Sequence, residues 1–201
     1  MMKRAIAVFA ALALSMGLAS AALADQISDQ LNQGVKLYQE GKVSQAIREI
    51  EFALAQMMQK KADMLGQVFP EAPAGWTAAE IESKSGSGGM FGGGVSATRR
   101  YKNGERGQVK IQVISDSPLI QSMGMMLNNP MFTQGGKQGK LVPFKGNKAL
   151  LKDRGDRAEF QSLIDNKVLL QVDASRVKNA AQVAQEFADK VNMEKLKELT
   201  R

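Results

Sequence analysis

Apolar residues change their spacing along this chain, and the change divides it. From Ile27 to Leu65 they recur every three or four positions: Ile27, Leu31, Val35 and Tyr38 share one helical face, and Ala46, Ile47, Ile50, Ala53, Leu54, Met57, Met58 and Leu65 form a second stripe. Gly41 stops the first run and Ser44 is placed to cap the second, so the pattern predicts an αα-hairpin. Beyond Pro70 and Pro73 the period falls to two, and a strand that slips by one residue would turn its apolar set to solvent. Loop lengths must therefore have the right parity. Val95, Ala97 and Tyr101 share a face with Val109, Ile111 and Val113 only if the loop around Asn103-Gly104 holds three or five residues, although Asn-Gly usually marks a two-residue turn. Gly146-Asn147 reads as a two-residue turn that aligns Val142 and Phe144 with Ala149 and Leu151, and Asp153 to Asp156 leads on to Ala158 and Phe160. A three-residue loop from Asp165 to Lys167 then sets Ala158, Phe160, Ser162 and Ile164 against Ala174, Val172, Leu170 and Val168. The expected sheet is antiparallel, a hairpin followed by a four-strand meander.

Two helices accompany it. Ser117-Pro118 is a cap followed by a favourable first residue, with Leu119, Ile120, Met123, Met126 and Leu127 as the inner face before Pro130. Ala180, Val183, Ala184, Phe187, Ala188 and Val191 make the second, with Met193, Leu196 and Leu199 as a short continuation. Both are expected to cover the sheet's apolar face, which makes the chain α+β. The expected organisation is a leader at 1–24, a helical hairpin at 25–66, a linker at 67–75 and an antiparallel α+β domain at 76–201.

Gly34, Leu37, Gly41, Ala46, Ile50 and Ala53 fall at the spacing of the packing positions of a tetratricopeptide repeat, which the hairpin resembles over about one repeat. Gln30, Gln33 and Met58 depart from that pattern, at positions where the repeat prefers Trp, Leu and Pro. Arrays of such repeats hold peptides in a concave groove, but a single unit has none and cannot bury its own apolar face. The hairpin is therefore expected to pack on the rest of the chain, on a second copy or on another protein. The sheet region resembles, at the level of fold, the small α/β/α sandwiches of the PsbP type, a resemblance that implies a binding role.

The N-terminus sharpens where this would happen. Lys3 and Arg4 precede an apolar run that closes on Ala22-Leu23-Ala24, the small-x-small pattern of a secretory cleavage site, and the run is shorter than a membrane span needs. Export to the periplasm is the expectation. Losing Lys3 and Arg4 leaves 25 cations against 20 acids, so the net charge falls from +7 to +5. An exported chain of that charge is not expected to meet nucleic acid; anionic lipid, polysaccharide or acidic protein remain. Cysteine and histidine are both absent, which excludes thiol nucleophiles, disulfides, Cys/His zinc sites and His-based triads.

Candidate chemistry is sparse. Ser85 to Gly94, SGSGGMFGGG, fails as a dinucleotide fingerprint because Phe91 stands where a third glycine belongs and no helix follows. Gly139-Lys140 fails as a P-loop because Gln134 replaces the leading glycine and Leu141 the metal-holding hydroxyl. The glycine-rich stretch reads as a hairpin connection whose Met90 and Phe91 need a place to dock: a lid on the domain, a partner's pocket or a bilayer. Arg100, Lys102, Arg106 and Lys110 lie opposite the inner face and form a basic ribbon suited to an anionic membrane, with Arg99 the odd residue on the inner side. Met123, Met125, Met126 and Met131 raise Cu(I), but Met125 points away from Met123 on a helix, and methionine is an ordinary core filler. Ser175-x-x-Lys178 matches the start of an acylating site without its companion motifs, and Asp153 with Asp156 or Glu80 with Glu82 read as solvated turn caps.

The expectation is a non-catalytic exported interaction module, without metal or cofactor, that docks a protein partner or forms a homodimer through Ile50, Leu54, Met57 and Met58. The alternative is peripheral membrane or envelope-ligand binding through Met90, Phe91, Arg100, Lys102, Arg106 and Lys110. A carboxylate-dependent hydrolase is a third, minor reading.

Overall fold

The computed structural model describes residues 26–86, 93–104, 106–128 and 139–200. A helix over residues 26–39 (α1) ends where Gly41 takes φ +77°, and the Lys42 and Gly41 amides bond back to the Leu37 and Tyr38 carbonyls. That left-handed cap suits glycine, which has no Cβ to clash. Helix α2 spans Val43–Leu65. Its first turn hangs on the Lys42 carbonyl, which accepts from the Gln45 and Ala46 amides, so Ser44 lies inside the turn instead of capping it. The two helices meet through small residues: a Cβ on Gly34 would stand 2.7 Å from Ile50 Cγ1 and 3.4 Å from the Ala46 carbonyl oxygen. Leu37, Ala46 and Ala53 are buried, and Gln56 donates to Gln30 Oε1 at 2.9 Å.

Two compact units divide between Met57 and Met58, inside α2. The first is the helix pair. The second, the body, takes the last two turns of α2, a single 3-10 turn at Gly66–Val68, and an eight-stranded antiparallel sheet. Its strands are β1 (Trp76–Ala78), β2 (Glu82–Ser85), β3 (Val95–Asn103), β4 (Gln108–Ser115), β5 (Lys140–Phe144), β6 (Asn147–Asp153), β7 (Arg157–Ile164) and β8 (Val168–Ser175). Helices α3 (Leu119–Asn128), α4 (Ala180–Asp189) and α5 (Met193–Leu199) complete it. The strand order is β1-β3-β4-β8-β7-β6-β5, with β2 also on β3. The fold is α+β, a helix pair followed by an antiparallel sheet with further helices.

Parity decides the sheet. Tyr101 pairs with Val109 and Ala97 with Val113, and the Asn103 amide bonds the Gly107 carbonyl, which leaves the odd-numbered loop 104–106. Ile164 pairs with Val168 across the three residues 165–167. Two other turns differ from expectation. The β5–β6 turn is Lys145-Gly146, with φ +43° and +83°, and not Gly146-Asn147. The β6–β7 strands extend until Arg154 bonds the Arg157 carbonyl, leaving Gly155 and Asp156 at the tip. Both changes move the pairing by an even number of residues, so every side chain keeps its face.

The inner face carries the main core. Tyr101, Val109, Ile111, Phe160, Leu170 and Val172 pack with Ala184, Phe187 and Leu196 of α4 and α5, and with Ala62, Leu65 and Val68. Arg99 shares that face and is satisfied there. Its guanidinium donates to the Pro70 and Ala79 carbonyls at 3.0 and 3.3 Å and lies 5.7 Å from the Tyr101 ring centroid. Helix α3, capped by Ser117 Oγ on the Leu119 amide at 3.3 Å, does not join α4. Its Leu127, Ile120 and Met126 pack on Leu150 and Leu163, which point to the opposite face. The helices therefore cover both sides of the sheet, where one apolar side was expected.

Both lateral edges are unsuited to a further strand. At one, β1 and β2 are separate strands of three and four residues, so no long continuous strand is presented there. At the other, β5 contains Pro143, which has no amide hydrogen to offer.

Candidate functional site

Two surfaces are candidates, one on each unit. On the helix pair, Val43, Ile47, Ile50, Leu54 and Met57 follow one another in steps of four and three along α2. At ~100° per residue such steps keep a single face, drifting only ~20° per seven residues. All five are between 39 and 51% exposed. Val35 and Tyr38 of α1 are exposed as well. Of the four residues expected to meet a partner, Ile50, Leu54 and Met57 stand in this row. Met58 does not: it is half-buried and packs on the core of the body.

A row of half-exposed aliphatic side chains is costly in water, and covering it would contribute about 1 kcal/mol per side chain. Five such side chains in one row make a patch of the ~300–600 Å² that is the largest on an ordinary monomer and often functional.

The second surface lies on the outer face of the body, over β2, β3 and β4. Register places Glu82 beside Thr98, Lys84 beside Ser96, Arg100 beside Lys110, and Thr98 beside Gln112. These side chains line a cavity of about 670 Å³, rimmed by Gly86, Gly93 and Gly94, the described ends of the glycine-rich connection. That connection does join paired strands: Ser85 faces Val95, and the Gly86 amide bonds the Gly94 carbonyl at 3.2 Å. Met90 and Phe91 lie outside the described residues.

The basic ribbon is partly brought together. Arg100, Lys102 and Lys110 share the outer face, while Arg106 sits in the β3–β4 loop at φ +71°. Arg100 is ion-paired to Glu82, and Lys110 to Asp173 at 2.7 Å, so two of its four charges are already matched. The remaining motifs lead nowhere. Ser175 ends β8 and Lys178 sits in the turn before α4, not on a helix. Asp153 accepts from the Gly155 amide as a turn cap. Met123 and Met126 are half-buried, Met125 is exposed, and Met131 lies outside the described residues. Among the described residues no three His, Cys, Asp or Glu side chains gather as a metal site, and no helix is long and apolar enough to cross a membrane.

The α2 row was legible only in part: the expected stripe held Ile47, Ile50, Leu54 and Met57, but it also held Ala46, Ala53 and Leu65, which are buried, and it lacked Val43. The cavity was not legible, because its floor reads as the ordinary polar alternation of a half-buried strand. Comparison with protein-family models, with curated proteins and with solved structures finds no match.

Proposed function

We propose that this chain is an exported, non-catalytic interaction module whose helix pair docks a second protein along α2. The observation that carries the reading is the unbroken row Val43, Ile47, Ile50, Leu54, Met57, each side chain 39–51% exposed. Its occupant is a partner helix that brings an apolar face of the same three-four spacing, because such faces interdigitate along a common axis. The leader-like N-terminus supports a periplasmic setting, where the partner would be sought.

The test is the mass of the native particle by light scattering, followed by capture from native envelope, for the wild type and for Ile50→Asp with Leu54→Asp. The reading expects a heterologous complex that the double variant loses while the sheet keeps its melting temperature. A pure homodimer would replace the partner by a second copy. A monomer that captures nothing, or a double variant whose sheet melts as well, would end the proposal.

A further inference from the structure

The floor of the outer-face cavity carries an anomaly that docking through α2 does not explain. Gln112 and Thr98 face one another across β4 and β3, are 7% and 9% exposed, and line the cavity. Buried polar side chains are normally hydrogen-bonded. Among the described residues neither side chain has a hydrogen-bond partner, whereas buried Ser162 donates to the Lys148 carbonyl and Ser115 to Asp116. Yet no wholly enclosed side-chain nitrogen or oxygen lacks a partner there. The polar ends of Gln112 and Thr98 must therefore reach open space, and the space they border is the cavity. Two unpaired groups set side by side at the bottom of a concavity are what a site for a hydroxyl-bearing molecule would need.

The charge above them is mainly positive, with Lys110 already paired to Asp173. Lys84, Arg100 and Lys110 line the cavity with a single acid, Glu82. Lys84 makes no ion pair among the described residues, and Arg100 uses one guanidinium nitrogen on Glu82, leaving donors for a second anion. A volume of about 670 Å³ is that of a small-molecule site.

We propose that this cavity binds a small phosphate-bearing polyol of the sugar-phosphate class, its phosphate held by Lys84 and Arg100 and its hydroxyls by Thr98 and Gln112. The same chemistry is presented by a soluble sugar phosphate and by a glycerol-type lipid headgroup. The experiment uses the full chain, isotopically labelled, titrated with glucose 6-phosphate, with glucose, and with vesicles of phosphatidylglycerol in phosphatidylcholine. Saturable shifts of the Gln112 side-chain amide and the Thr98 amide are expected with glucose 6-phosphate or with the anionic vesicles. The first response assigns the soluble source and the second the headgroup. Gln112→Leu and Lys84→Ala should each weaken binding tenfold or more. Thr98→Val provides the same reading if Gln112→Leu fails to fold. Absence of saturable shifts with both probes, equal response to uncharged glucose, or undiminished binding in these variants would overturn the assignment. None of these outcomes depends on whether α2 docks a partner.

Discussion

Tyr101 sits wholly inside the body between Phe187 and Arg99, and its hydroxyl donates to the Pro70 carbonyl at 2.8 Å. Burial pushes its phenol up from 10.0 to about 12, against the opposing pull of the Arg99 charge. The unfolded chain therefore loses this proton first as pH rises, so stability should fall between about pH 10 and about pH 12. Tyr101→Phe should flatten that alkaline limb in a melting-temperature series, at a cost near 1 kcal/mol at neutral pH for the lost hydrogen bond. At Asp116 the sign reverses. Burial works to raise its pKa, but hydrogen bonds from Lys61 and Ser115 and the Lys61 charge outweigh it and hold the carboxyl below its usual range. Stability from this contact is present above the ordinary aspartate range and is lost as pH falls through the lowered value. Asp116→Asn should remove that part of the acid limb and let the last turns of α2 exchange faster with deuterium. At this scale the sequence announced Arg99 as an inner-face oddity without showing the two carbonyls that accept from it. Thr98 and Gln112 gave no sign at all, because being unpartnered is a property of space and not of residue type.

At the scale of elements, parity was the most informative signal, and it has a mechanical reason: a one-residue slip inverts a strand, whereas a two-residue slip leaves its faces unchanged. The loops around Asn103-Gly104 and Asp165–Lys167 were therefore readable, while the β5–β6 turn was placed one residue late. Gly146→Ala should cost about 1 kcal/mol, since that residue holds φ +83°. The neighbouring Lys145 also reaches the end of α4, its Nζ donating to the Asp189 carbonyl at 2.6 Å. The pairing of β4 with β8 was missed because it joins segments more than fifty residues apart, and no local pattern encodes which strand edge closes on which. The opposite-face position of α3 did leave a trace. Ala149-Leu150-Leu151 and Val168-Leu169-Leu170 are apolar at consecutive positions, as strands buried on both faces are. In the helix pair, Gly34→Leu should force the side chain into Ile50 and speed amide exchange in α1 and α2, with the sheet amides unchanged.

The molecule as a whole consists of two units of unequal substance, and they should not unfold together. The helix pair buries few large side chains, whereas the body has a continuous core. The chain's one tryptophan, Trp76, lies edge-on to Phe187 with ring centroids 5.0 Å apart and reports on the body alone. Under urea the helical circular-dichroism signal should begin to fall before the tryptophan fluorescence changes. Coincident curves would show a single cooperative unit instead. A bound partner should draw the two curves together, because it stabilises only the state in which the row is formed. The interrupted first edge and the proline at the last one add a consequence for how this protein fails. With one rim broken into short pieces and the other lacking the Pro143 amide, both are poor templates for fibrous growth from the native state. Whatever clumps they form at high concentration should be held by oily helix contacts, should redissolve on dilution, and should not bind amyloid dyes.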